Sequence, residues 1–345
     1  MANAGFDIGE SSTARDWNEP NLAKTGAKRQ HYVPQMLLRP FATGGRLRVS
    51  DLDDLREFWA TPATAAVEQG FYNVARGDDV LSNELWLSEL EGVAAPILRE
   101  ITADPDALST LSDEQDMALA RFLTAQRLRV PAFRRWLRGV TDDMLPDIKR
   151  LAKGQLFAMT SRKEAEATWA AWEKKPPHFW WGMEREEPPE ELTSDLLGEV
   201  QGYANLLRAA PWRIGKAAGK VRLYTSDNPV AGDLPTVRPW WEGAAFASLV
   251  YYVPLSPQVL LKIGRRPDSQ EESVGARESR DFDDYAISVA RHVVTAGATR
   301  FLFGGEGPIV PRDCARSCLD QAGRANLQHA IRYQGFDPNP PSAPR

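Results

Sequence analysis

The chain has 345 residues, 43% hydrophobic and 26% charged, the composition of a globular protein long enough to bury one large core or two ordinary ones. Its 42 Lys and Arg against 47 Asp and Glu leave a net charge of -5, which argues against the broad electropositive face of non-specific duplex binders and leaves room for a local basic patch. No apolar run approaches the roughly 20 residues that span a bilayer, so no membrane contact is expected. The first 27 residues carry neither an apolar signal core nor an amphipathic basic helix and read as a disordered lead-in. Cys314 and Cys318, four apart in a late helical stretch, suit neither a disulfide nor a zinc site, which points to a reducing, cytoplasmic interior.

In chain order, "HYVPQMLLRPFA" is apolar but interrupted by Pro34 and Pro40, predicting a helical turn or extended entry segment. "GRLRVSDLDDLREFWATP" alternates on either side of an Asp-rich turn and reads as a β-hairpin. Helical spacing runs from Leu81 to Ala103, mildly broken by Gly92 and Pro96, and again from Ser112 until Pro131 cuts or kinks it. Helix resumes through "AFRRWLRGVTDDMLPDIKRLAK". Residues 160–191, charged and rich in Trp and Pro, read as a helical arm followed by an exposed connector. "LTSDLLGEVQGYANLLRAAPW" restores the helical period. Three strands are then expected, "KVRLYTSDNPVA", "FASLVYYVPLS" and "QVLLKIG". A helix from about Phe282 to Ala296, the strand "TRFLFGG" and a last helix from Arg312 to about Ile331 complete the order. The tail 336–345 reads as disordered. Strand-helix-strand alternation is too sparse for a doubly wound sheet. The class is therefore α+β, with a helical middle packed on a small mixed or antiparallel sheet, in one domain over 28–335.

Several polar groups invite a chemical reading. In "LYTSDNPVAGD" a strand runs into Thr225, Ser226, Asp227 and Asn228 before Pro229, which either aims oxygens into a cleft or makes an Asx turn. Glu84 and Glu91 share one helix face about 10 Å apart along its axis, at ~1.5 Å per residue. They serve as ligands for a divalent cation if other segments bring donors between them, or form a solvated face. Arg121, Arg127, Arg129, Arg134, Arg135 and Arg138 form the densest positive run, spread over more than one face. Gln126 and Arg129, three apart, suit a fork onto a carboxylate or phosphate, or an internal ion pair with Glu84 or Glu91. His178, His292 and His329 form no zinc pattern. The pairs Trp180-Trp181 and Trp240-Trp241 offer stacking surfaces or packing.

Five stretches, "QHYVPQMLLRPFA", "GFYNV" (Gly70 to Val74), "ELWLSELEGVAAPIL" (Glu84 to Leu98), "QRLRVP" (Gln126 to Pro131) and "YTSDNPV" (Tyr224 to Val230), resemble a bacterial family, domain of unknown function 4238. The resemblance spans residues 28 to about 303. It singles out His31, Tyr32, Gln35, Tyr72, Glu84, Glu91, Gln126, Arg129, Ser226, Asp227 and Asn228, mostly polar. It implies that the helical middle and the strand block meet over a polar cleft, with His31 and Asp227 on opposite walls.

Two functions fit that inventory. One is a metal-assisted hydrolase acting on a phosphodiester or other small, nucleotide-like anion. Asp227 with Glu84 or Glu91 would hold a divalent metal, His31 would act as base or orient water, and Gln35, Gln126, Arg129 and Asn228 would bind substrate, Arg129 neutralising developing charge. The other is a non-enzymatic ligand- or partner-binding protein, in a stress or phage-defence context, whose polar cluster is a buried network fixing the fold. An open cleft with unpaired carboxylates distinguishes the first. A closed network distinguishes the second.

Overall fold

The computed structural model describes residues 22–24, 29–54, 56–76, 79–180, 189–232, 250–264 and 275–305. The expected last helix, both cysteines, His329, Trp181, the Trp240-Trp241 pair, the C-terminal tail and most of the lead-in lie outside these residues.

Chain order begins with β1 (Ala23–Lys24), β2 (Arg29–His31) and the single turn α1 (Gln35–Leu38), which passes into a 3-10 turn at Arg39–Phe41. The two prolines explain the brevity: Pro34 precedes α1 and Pro40 sits inside the tightened turn. The expected hairpin follows as β3 (Leu47–Asp51) and β4 (Arg56–Ala60), with Val49 opposite Phe58. Next come β5 (Val67–Gln69), β6 (Asn73–Arg76) and β7 (Asp79–Ser82), none of them marked by a long apolar alternation.

The helical middle holds α2 (Glu84–Ala103), α3 (Asp113–Leu128), α4 (Pro131–Met159), α5 (Arg162–Trp172), α6 (Pro177–Trp180), α7 (Pro189–Gly198) and α8 (Val200–Ala209). Ser112 caps α3 in a reciprocal capping box with Gln115, and three acids occupy the first turn. Pro131 does not kink a continuous helix: α3 stops at Leu128, and Pro131 stands in the first turn of α4, where its missing N–H is harmless. Pro96 lies inside α2, which continues past it.

The remaining elements are β8 (Trp212–Lys216), β9 (Thr225–Ser226), β10 (Ala231–Gly232), β11 (Val250–Pro254), β12 (Val259–Gly264), β13 (Arg277–Ser279), α9 (Asp284–Gly297) and β14 (Phe301–Gly304). The long strand expected over "KVRLYTSDNPVA" is thus two short ones separated by the Ser-Asp-Asn-Pro turn, because the side chains of that turn bind backbone in place of a strand ladder.

Four sheets result. The largest has the order β10-β11-β12-β8-β13, antiparallel except for the parallel β8–β13 pair. Gly215 lies where a Cβ would meet the backbone of Arg280, so the absence of a side chain permits this close approach. A second sheet, β4-β3-β14-β9, joins the N-terminal hairpin to the end of the described chain. The strands β1-β7-β6 and β2-β5 form two smaller sheets.

The large sheet is buried on both faces, which is why β11 and β12 read as nearly unbroken apolar runs. Tyr251, Val253, Leu261 and Ile263 join a core with Trp86, Leu90, Phe122 and Leu207 from the helical layer. The alternate residues Val250, Tyr252 and Leu260 pack instead with Ile287, Ala290, Val293 and Val294, the apolar stripe of α9. This is the expected α+β arrangement, with more sheets than the sequence suggested. The C-terminal end of α3 comes to rest against the strands, and the polar motif residues gather around it.

Candidate functional site

Gln30 is the hub of the first half of the cluster. In the alternating strand β2 it is the inward residue, fully buried between two outward ones. Its Nε2 donates to Asn73 Oδ1 (3.1 Å), Ser82 Oγ (3.1 Å) and Glu84 Oε2 (3.2 Å), while its Oε1 accepts from the Tyr72 backbone N–H (2.6 Å). One side chain therefore ties β2 to β6, β7 and the first residue of α2. The hydroxyl of Tyr72 donates back to the His31 carbonyl at 2.8 Å, and Ser82 Oγ also accepts from the Glu84 N–H.

The end of α3 supplies the second half. Gln126 Nε2 donates to the Tyr32 carbonyl (3.0 Å), and Gln126 Oε1 accepts from Arg129 Nε (2.8 Å). Arg129, 1% exposed, closes the chain with a 2.7 Å bond from Nη1 to Glu91 Oε1. Burial works against the Arg129 charge, but Glu91 and Tyr72 outweigh it and hold its pKa above the ordinary arginine value. Of the two roles that the sequence left open for this arginine, the internal ion pair is the one present.

The Thr-Ser-Asp-Asn segment is a clamp. Asp227, 1% exposed, accepts the backbone N–H of Thr299 (2.7 Å) on one oxygen and those of Arg300 (2.7 Å) and Phe301 (3.0 Å) on the other. Burial pushes its carboxyl up to about 6 against the pull of those three amides. Ser226 Oγ accepts from the Asn228 N–H, and Asn228 Nδ2 donates to the Gly297 carbonyl at the end of α9. The turn reading of this stretch is thus the one realised. It fastens β9 to the α9–β14 connection, beside which Arg300 makes two hydrogen bonds to the buried Asp51 of the hairpin (2.9 and 2.7 Å).

The expected residues come together in two groups that meet at α3. Gln126 and Arg129 face the Gln30 group, while Arg127 Nη1 reaches Asn228 Oδ1 at 3.4 Å in the clamp. Tyr32 links them as well, since its carbonyl holds Gln126 and Asp227 is among the charges that, after burial, raise its hydroxyl pKa.

The grouping of Glu84, Glu91 and Asp227 around one ion is not what the structure holds: Glu84 binds Gln30, Glu91 binds Arg129, and Asp227 binds backbone. Among the described residues no three His, Cys, Asp or Glu side chains stand together as a metal cluster. The groups that act on His31 do not include Asp227, nor do those that act on Asp227 include His31. The partly buried His31 imidazole meets the backbone of Pro62 and Ala63, and burial lowers its pKa despite those contacts and the nearby Glu91. Gln35 accepts from Arg39 one helical turn on, at the surface. His292 is exposed on α9.

Gln30, Asn73 and Ser82 were missed as site residues. The alternation of "RQH" before the motif tyrosine was the available signal, since it turns Gln30 inward. A separate cleft of about 500 Å³ is lined by Leu108, Leu111, Asn205 and the ion-paired Asp116, Arg208 and Arg277, none of them a motif residue.

Fold and site together define an α+β protein with a buried polar lock at the junction of helices and sheets. A family model described as "Protein of unknown function (DUF4238)" matches residues 29–304, and the chain belongs to that family. No curated protein and no solved structure matches it. No helix among the described residues is long and apolar enough to cross a membrane.

Proposed function

We propose that this chain is a ligand- or partner-binding protein whose polar motif residues form an internal structural lock, in preference to a metal-assisted hydrolase. The observation that carries the reading is the occupation of all three candidate metal carboxylates by partners within the fold. Asp227 in particular has both oxygens turned to backbone amides. A carboxylate held this way positions a strand and a loop, and its lone pairs face donors where a metal would need them free.

The network is also continuous, from Gln30 through Tyr72 to His31, and from Tyr32 through Gln126 and Arg129 to Glu91. Buried networks satisfied at most members specify a unique arrangement of the elements they join. Here they join α2, α3 and the strands on either side. Recognition is left to the surface around the lock.

The test is a thermal-shift screen of the full chain against divalent metals and nucleotides, with Glu91→Gln and Asp227→Asn alongside. Both variants are expected to melt lower than wild type with or without metal, and no metal is expected to raise the wild-type Tm. A divalent ion that stabilises wild type, and loses that effect in both variants, would reinstate the hydrolase.

A further inference from the structure

Arg127 carries a charge that the fold largely removes from water and leaves without a counter-ion among the described residues. It stands in the last turn of α3, two residues before Arg129. Where Arg129 has Glu91, Arg127 has no carboxylate partner among the described residues. Its one hydrogen bond is the long contact to Asn228 Oδ1 at 3.4 Å, and its Nε is buried with no hydrogen-bond partner. Among the described residues the titratable group that acts on it is the Tyr251 hydroxyl, and burial pushes the guanidinium pKa down. The negative end of α3 offsets part of this. The orphaned Nε–H nevertheless reaches none of its carbonyls.

The segments around it hold further unsatisfied polar atoms. Thr124, one turn earlier on α3, Thr225 on β9, and Thr299, whose N–H binds Asp227, each bury a hydroxyl oxygen with no partner among the described residues. Native interiors leave few such atoms, and each is a place where water or an ion can complete the bonding. The unpaired charge here is positive. The missing partner is therefore an anion.

We infer that Arg127, backed by Asn228, is a binding point for a small oxyanion, the phosphate or carboxylate group of a ligand arriving from solvent. The Nη groups, one of which already rests on Asn228 Oδ1, are the charge-assisted donors that face such a group, while the buried Nε–H lies behind them. The residue keeps partial exposure, so an oxyanion can reach it. The inference rests on the binding reading only in taking ligand capture as the protein's role. It is tested on a residue outside the Glu91 and Asp227 variants, so either can fail alone.

The experiment titrates the full chain with sodium phosphate, sulfate and acetate against sodium chloride at matched ionic strength, following Tm for wild type and Arg127→Met, with Arg127→Gln replacing it should the first not fold. Wild type is expected to gain stability from phosphate or acetate beyond chloride, the preferred anion identifying the group. The variant should bind that anion about tenfold more weakly or worse, as loss of a charge-assisted pair of bonds implies. In chloride alone the variant should melt at or above wild type, because an unpaired buried charge is gone. The inference is overturned by a wild-type Tm that is the same in every anion, or by an anion effect that survives the loss of Arg127.

Discussion

Arg129 lies 2.7 Å from Glu91, and the two differ in burial: the arginine side chain is 1% exposed and the glutamate 28%. The asymmetry makes Glu91 the more accessible place to break the pair, and Arg129 the more damaging charge to leave alone. Removing one partner of a buried pair costs about 3–5 kcal/mol, whereas replacing both by apolar groups is often near neutral. Glu91→Ala should fall toward that range, and Glu91→Ala with Arg129→Met should recover part of the loss. Urea unfolding of the two single variants and the double variant measures the coupling.

Gln30 holds four groups at once, with amide donors and an acceptor that a hydrocarbon side chain lacks. Gln30→Leu would leave the Tyr72 N–H and the Asn73 and Ser82 side chains short of a partner in the interior. An unsatisfied buried group costs about 1–3 kcal/mol, so a loss of about 3 kcal/mol is expected, read from denaturant midpoints at constant slope. Gln35→Leu, at the surface against Arg39, should stay within about 0.5 kcal/mol of wild type.

Two buried aspartates give opposite pH signatures. Asp51 is held down to about 2, first by its hydrogen bonds with Arg300 and then by the amides of Asp54 and Asp53 against burial. A lowered folded pKa contributes stability above the unfolded value near 3.8, and this is lost as pH falls through about 2. Asp227 is raised to about 6, so its contribution is present below 3.8 and lost as pH rises through about 6. The stability gap between wild type and Asp51→Asn should therefore shrink from pH 4 to pH 2. The gap between wild type and Asp227→Asn should change between pH 4 and pH 6. Urea titrations across that range separate the two.

The helices and the hairpin were legible because their signals are local: the 3.6-residue period, the Ser112 capping box, Pro131 and the Asp-rich turn between Leu47 and Phe58. The short strands β2, β5 and β8 were not. Each is held by a partner distant in sequence, as Gln30 opposite Glu68 and Ile214 opposite Leu261 illustrate. The polar residues were legible as a set, and their bonding was not. Nothing in "TSDNPV" says that the carboxylate turns to the amides of residues 299–301, because those amides are more than seventy positions away. Arg127 was visible only as one member of an arginine run. What sets it apart is that no carboxylate among the described residues pairs with it, and that is a property of three-dimensional surroundings.

The central claim is that Asp227 is a clamp on backbone, and amide hydrogen exchange at Thr299, Arg300 and Phe301 tests it most directly. In wild type those three N–H groups should exchange as slowly as the core strands. In Asp227→Asn, whose amide offers one oxygen and sets N–H against N–H at the other, they should exchange at least about thirtyfold faster, the equivalent of about 2 kcal/mol. Retention of wild-type protection at 299–301 in Asp227→Asn would contradict the account.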